Sequence, residues 1–226
     1  SNASLDRTAS GLSDTADKEG FIVVYPQGRH AGWNVTHPES DARFVAAVID
    51  EVERTWHTDP GRVYLTGFSV GAAMTYRLAA ELLGRFAAIA PIGGAWPGPD
   101  LPLPTTAVPL VALTGSKDSG VERNTAAALQ QWRERFDCTP FDTGTRETAD
   151  GTAGVSTSTC AGGTDLRWYS IEGLAHSWPQ SAGELVWEFF DIYTTAYRAR
   201  QVTPFTLEMS NPPWLASHEL RPGWLR

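Results

Sequence analysis

Cysteine is scarce in this 226-residue chain: only Cys138 and Cys160 occur, too few and too far apart for a structural zinc site, and no metal is expected. Positive charge is thin as well. Lys and Arg number 18 against 26 Asp and Glu, a net charge of -8, and the basic residues stand singly. No footprint for a phosphate backbone results, which excludes nucleic acid as an expected partner. No apolar run approaches the ~20 residues of a membrane-spanning helix, and no basic segment followed by an apolar one opens the chain. A soluble protein with no membrane partner is expected. An initiator methionine is also missing, and Ser1-Asn2-Ala3 (residues 1–3) reads as the remnant of a purification tag. The absence of any internal repeat excludes solenoids and propellers.

What is present suits one folded unit. With 42% hydrophobic residues, the chain can bury most of the surface its unfolded form exposes. Short β-branched runs alternate with segments of helical period. Phe21-Ile22-Val23-Val24-Tyr25 is continuously apolar and stops at Pro26-Gln27-Gly28, which predicts a strand buried on both faces. From Asp41 the apolar positions Phe44, Val45, Val48, Ile49, Val52 and Trp56 recur at helical spacing. Strands are then predicted over residues 62–66, 86–92, 108–113 and 166–171, and helices over 72–83, 124–136 and 182–198, with Gly84 closing the first of these. This alternation implies an α/β fold, a three-layer sandwich whose mostly parallel sheet is covered on both faces. Residues 4–201 form the expected domain. The Pro- and Trp-containing stretch 202–226 reads as a tail lying across it.

Chemistry concentrates in Gly67-Phe68-Ser69-Val70-Gly71, a G-x-S-x-G pattern entered by a predicted strand and left by a predicted helix. That context resembles the nucleophile elbow of α/β-hydrolases, a sharp turn exposing the serine, with flanking glycines that let strand and helix pack closely. The N–H of Val70, at the helix start, is then aimed at the oxyanion of a tetrahedral intermediate. A glycine-rich loop with a helix-capping serine is the plainer alternative for the same residues. A serine hydroxyl needs a base, and the base an acceptor that fixes its tautomer. Of five histidines, His30 and His37 lie ahead of the elbow, His57 ends a helix and His218 is in the tail. His176 follows the last strand and fits the chain order Ser, Asp, His. Asp118 comes just after the strand 108–113, at the edge that faces the ligand crevice. Asp137, Asp165 and Glu172 are its rivals, and Lys117 beside it raises a solvated charge pair as an alternative. The two cysteines flank a polar stretch, 139–159, read as a long loop. They suit a disulfide there, or else a buried free pair.

Several segments together resemble secreted esterases of the polyhydroxybutyrate depolymerase and feruloyl esterase group. They are Phe21-Ile-Val-Val-Tyr-Pro, Gly32-Trp33-Asn34, Val63-Tyr-Leu-Thr-Gly-Phe-Ser-Val-Gly-Ala-Ala-Met, Phe86-Ala-Ala-Ile-Ala-Pro-Ile-Gly-Gly and Glu172-Gly-Leu-Ala-His-Ser-Trp-Pro. The resemblance covers roughly residues 12–197. It implies Ser69 as nucleophile, Asp118 as acid, His176 as base and a disulfide between Cys138 and Cys160. The reaction implied is carboxylic ester hydrolysis on hydroxyalkanoate polyesters or on feruloyl and acetyl groups, without a cofactor, in a secreted or periplasmic protein. Trp33 and Trp178, both in loops, become candidate walls of the substrate site, with core packing as the alternative. A peptidase or thioesterase on the same triad, or a hydrolase-fold binding protein without catalysis, are the other functions considered.

The sequence departs from the family in one respect. An apolar strand ending in a His-Gly turn, which supplies a second oxyanion donor, precedes the first helix in the family and has no counterpart here. That strand lies between those matching residues 21–25 and 62–66, so unpaired backbone groups are expected on both. Closing of the two strands on each other, a segment lent by a second copy in a dimer, or insertion of Phe205-Thr206-Leu207 would cover them. A missing chain segment is the favoured explanation, and with it a poorer catalyst than an N-terminally extended chain.

Overall fold

Continuous apolar runs become the interior of a sheet. In the computed structural model, which describes residues 3–28, 32–95, 98 and 103–193, β2 (Ala88–Ile92) and β3 (Leu110–Gly115) are buried along their whole length. Among the described residues six strands are ordered β1-β2-β3-β6-β5-β4. β1 (Tyr64–Phe68), β2, β3 and β6 (Thr164–Ile171) run parallel, while β4 (Asp142–Thr148) and β5 (Gly151–Cys160) extend the sheet antiparallel.

Alternation along the strands divides the interior into two cores. Ile89, Leu110, Ala112 and Leu166 face one way, onto α3 (Glu39–Trp56), α4 (Val70–Glu81) and α5 (Ser119–Arg135) through Val45, Met74, Leu78, Leu129 and Trp132. Ala88, Ala90, Ile92, Val111 and Leu113 face the other way, onto Leu185, Val186 and Phe189 of α6 (Ala182–Phe190). α2 (Leu12–Glu19) packs on α6, following the short α1 (Ala3–Ala9). The three expected layers are present, and the sheet is mostly parallel.

Two expectations need correction. Residues 21–25 form no strand. A strand exists by pairing, and this segment lies beside α6 rather than beside β1. Phe21 stacks on Trp187 with ring centroids 4.2 Å apart, and the hydroxyl of Tyr25 meets those of Ser10 and Ser13 at 3.2 and 3.1 Å. Among the described residues β1 therefore ends the sheet, pairing only with β2. Val63 accepts from Ala87 N, and Ser69 N donates to Ile92. Odd-numbered residues thus face β2, leaving the N–H and C=O groups of Tyr64, Thr66 and Phe68 on the other edge, where no strand lies among the described residues. The second correction concerns residues 139–159, which form the β4–β5 hairpin instead of a long loop. Thr and Val recur there at positions 143, 145, 152, 155, 157 and 159 and favour pleated backbone. A two-residue turn of Ala149 and Asp150 joins Thr148 to its partner Gly151.

Other boundaries move by a few residues. The helix expected at 72–83 starts at Val70, directly behind the serine, and Leu82 rather than Gly84 caps it. α6 ends at Phe190, and the remainder of the expected helix lies outside the described residues beyond Tyr193, as does the tail 202–226.

Candidate active site

Ser69 sits where β1 ends and α4 begins, with φ 57° and ψ -115°, a conformation an L-residue holds only when its surroundings impose it. Part of that imposition is steric. A Cβ on Gly67 would lie 2.4 Å from the carbonyl oxygen of Gly71, so strand and helix approach more closely than any side chain permits. Ser69 N donates to Ile92 O, and its carbonyl accepts from Ala72 and Ala73. The N–H of Val70, at the first helical position, has no helical acceptor to reach and points out at the helix N-terminus. Val70 itself is 47% exposed.

His176 and Asp118 reach the serine from two turns stitched together at the C-terminal ends of β3 and β6. Ser116 N donates to Ile171 O, Lys117 N to Leu174 O, and Gly173 N to Ser116 Oγ, each at 2.9 Å. Asp118 is the N-cap residue of α5, its N–H bonded to Gly115 O. His176 Nε2 lies 2.9 Å from Ser69 Oγ, and His176 Nδ1 lies 2.5 Å from Asp118 Oδ2. The three side chains singled out in the sequence thus form one continuous chain of hydrogen bonds. The carboxylate is the more sheltered end, Asp118 being 18% exposed against 43% for His176.

Beyond His176 the loop is anchored at the start of α6. Asp150, in the hairpin turn, accepts from Gln180 N and Ser181 N at 2.8 Å and from Ser181 Oγ at 2.5 Å. Sequence reasoning missed this role, because the partners of Asp150 lie about thirty residues away along the chain and no local pattern marks them. Cys138 and Cys160 are joined by a disulfide, tying the end of α5 to the end of β5 across the Thr139 N to Thr159 O bond.

The rival residues are elsewhere. His37 is exposed near α3, its N–H bonded to Asn34 Oδ1, and His57 caps the C-terminal end of α3. His30 and His218 fall outside the described residues. Asp165 binds the Tyr193 hydroxyl and Thr159 at the start of β6, at the opposite end of that strand from the His176 turn. Trp33 packs against the core that contains Ala42, Val45 and Met74, while Asp41 holds its neighbour Asn34 through the backbone N–H. Trp178 stacks on Phe68, and its indole nitrogen is buried.

A mostly parallel sheet with a strained serine at one strand end and a histidine after the last strand invites comparison with hydrolases. Residues 25–135 match the sequence profile of the Dienelactone hydrolase family. The chain is 30% identical over 191 residues to the bifunctional acetylxylan esterase/xylanase XynS20E of Neocallimastix patriciarum, covering 79% of this chain and 27% of that protein. It is 35% identical over 97 residues to poly(3-hydroxyalkanoate) depolymerase C of Paucimonas lemoignei, covering 38% of this chain and 23% of that protein. These alignments therefore span 27% and 23% of the two relatives' own length. Among solved structures, the acetyl xylan esterase from Aspergillus awamori superposes with a TM-score of 0.65 at 19% identity over 82% of each chain, a likeness of fold. The resemblance to esterases of the depolymerase type is borne out. The fold is that of the α/β-hydrolases, and the chain's match to the Dienelactone hydrolase family runs through the serine elbow and Asp118.

Proposed function

We propose that this chain is a serine hydrolase of carboxylic esters, working through a covalent acyl-enzyme. One observation carries the reading: His176 bridges Ser69 and Asp118 with both ring nitrogens, at 2.9 and 2.5 Å. Ser69 Oγ attacks the ester carbonyl and forms the new C–O bond while its proton passes to His176 Nε2. Asp118 orients the imidazole and stabilises the imidazolium. The Val70 N–H meets the oxyanion. Collapse of the tetrahedral intermediate breaks the bond to the alcohol, which leaves with the proton from His176. Water then repeats the sequence on the acyl-enzyme and frees the acid.

The exposed imidazole and the apolar Val70 side chain beside the serine suit an ester presented from outside, such as a short acyl group or a hydroxyalkanoate carried on a polymer or its fragments. The disulfide supports a place of action in an oxidising compartment, secreted or periplasmic. Among the described residues, no helix is long and apolar enough to cross a membrane. The test is a hydrolysis profile across p-nitrophenyl esters of increasing chain length, methyl ferulate and short hydroxybutyrate oligomers. Turnover of any of them, lost in Ser69→Ala, supports the reading. Cleavage of peptides or thioesters alone moves the assignment to another leaving group.

A further inference from the structure

Phe68 occupies the first of the two positions that the Gly-x-Ser-x-Gly pattern leaves unspecified, and its ring lies against the imidazole of His176. The two ring centroids are 4.8 Å apart with planes inclined at 36°. The same ring stacks on the indole of Trp178 at 5.5 Å and 27°. Backbone closes in on it too: a Cβ built on Gly93 would lie 2.5 Å from Phe68 Cε2, and Gly93 has φ +58°. The ring is therefore confined by the loop after β2 and by Trp178. Trp178 Nε1 is buried and has no acceptor among the described residues, so the indole meets this site through its ring rather than through a polar bond.

His176 needs such a support. Its two hydrogen bonds leave from opposite sides of the ring, Nδ1 to Asp118 and Nε2 to Ser69, and together they define an axis about which the ring can still tilt. With 43% of the side chain exposed, solvent does not fix that tilt. A ring packed against one face does.

We propose that Phe68 is a positioning residue for the base: it holds one face of His176 and meets the positive charge that the imidazole acquires on accepting the serine proton. This rests on the proposed role of the triad. An aromatic ring attracts a cation within about 6 Å of its centroid. The imidazole becomes cationic only as the reaction proceeds, so the attraction is stronger in the transition state than in the ground state and acts on kcat rather than on binding. A Phe68 variant therefore separates this role from a purely structural one.

The experiment compares Phe68→Leu, Phe68→Met and Phe68→Tyr with the unaltered chain, using a p-nitrophenyl ester. Phe68→Leu and Phe68→Met are each expected to lower kcat about tenfold while KM changes less than about twofold, and Phe68→Tyr to restore most of the loss. Independently of turnover, the low-field Nδ1–H proton resonance of the His176–Asp118 pair should broaden in the Leu and Met variants and stay sharp in the Tyr variant. The proposal is overturned by a Leu or Met variant with unaltered kcat and a sharp resonance, by a loss carried in KM, or by a Tyr variant as impaired as Leu. If the unaltered chain hydrolyses no ester, the function fails as a separate matter, and the resonance still decides the role of Phe68.

Discussion

Gly115, the last residue of β3, lies so close to Leu174 that a Cβ on it would stand 2.2 Å from the Leu174 carbonyl oxygen. The contact is backbone against backbone, and the turns on either side carry Asp118 and His176. Neither turn can give way without moving a member of the triad. Gly115→Ala is expected to lower kcat by about 10²-fold, the usual cost of a misplacement near 1 Å, while the protein still folds. Steady-state kinetics beside a melting curve checks this. Full activity at an unchanged Tm would show that the two turns separate freely.

Asp118 donates nothing to the reacting atoms and acts through the imidazole. Asp118→Asn preserves shape but holds the wrong tautomer, and kcat should fall by up to about 10⁴. His176→Ala should remove nearly all hydrolysis. Near-normal rates in His176→Ala would rule out this histidine as the base.

Parts of this arrangement were legible in the sequence for a local reason. The elbow is five consecutive residues, and the strand entering it and the helix leaving it give the pattern its meaning. Asp118 follows a continuous apolar strand, and His176 a strand carrying Leu166, Trp168, Tyr169 and Ile171, so their place at one sheet edge could be read from strand order alone. What escaped was set by distant partners. Residues 21–25 have the composition of a buried strand, yet Phe21 packs on Trp187 of α6 and the segment pairs with no strand among the described residues. The β4–β5 hairpin escaped for the opposite reason: β4 is mostly exposed, so no apolar face announces it. The demands on Gly115 and Phe68 arise from Leu174, Gly93 and Trp178, residues 25 to 110 positions away along the chain, beyond any local pattern.

The Cys138–Cys160 disulfide closes the segment that leads from α5 through the hairpin to β5. Replacing both cysteines by serine should cost about 2–4 kcal/mol of stability, read by urea unfolding, with little change in KM because neither residue touches the triad. Unaltered stability would mean that the β4–β5 pairing alone fixes this region.

Arg146 on β4 holds Glu188 on α6 with two contacts, at 3.0 and 2.7 Å, tying the hairpin to the helix that follows the His176 loop. The Arg146 hydrogen bond keeps the Glu188 carboxyl below its usual range. A lowered folded value means that the pair's contribution is complete above the ordinary carboxylate range and is lost as pH falls through that lowered value. Both side chains are partly exposed, so the effect should stay below about 1 kcal/mol. Glu188→Gln should lower Tm slightly near neutral pH and converge with the unaltered chain in acid. A difference that grows toward low pH would reverse the assigned sign.

The central claim is that Ser69 is the nucleophile of an ester hydrolase. A fluorophosphonate probe, read by intact mass alongside p-nitrophenyl acetate hydrolysis, tests it most directly. The account predicts one adduct on Ser69, loss of hydrolysis in step with labelling, and neither labelling nor turnover in Ser69→Ala. Hydrolysis that persists in Ser69→Ala, or an adduct carried on another residue, would contradict it.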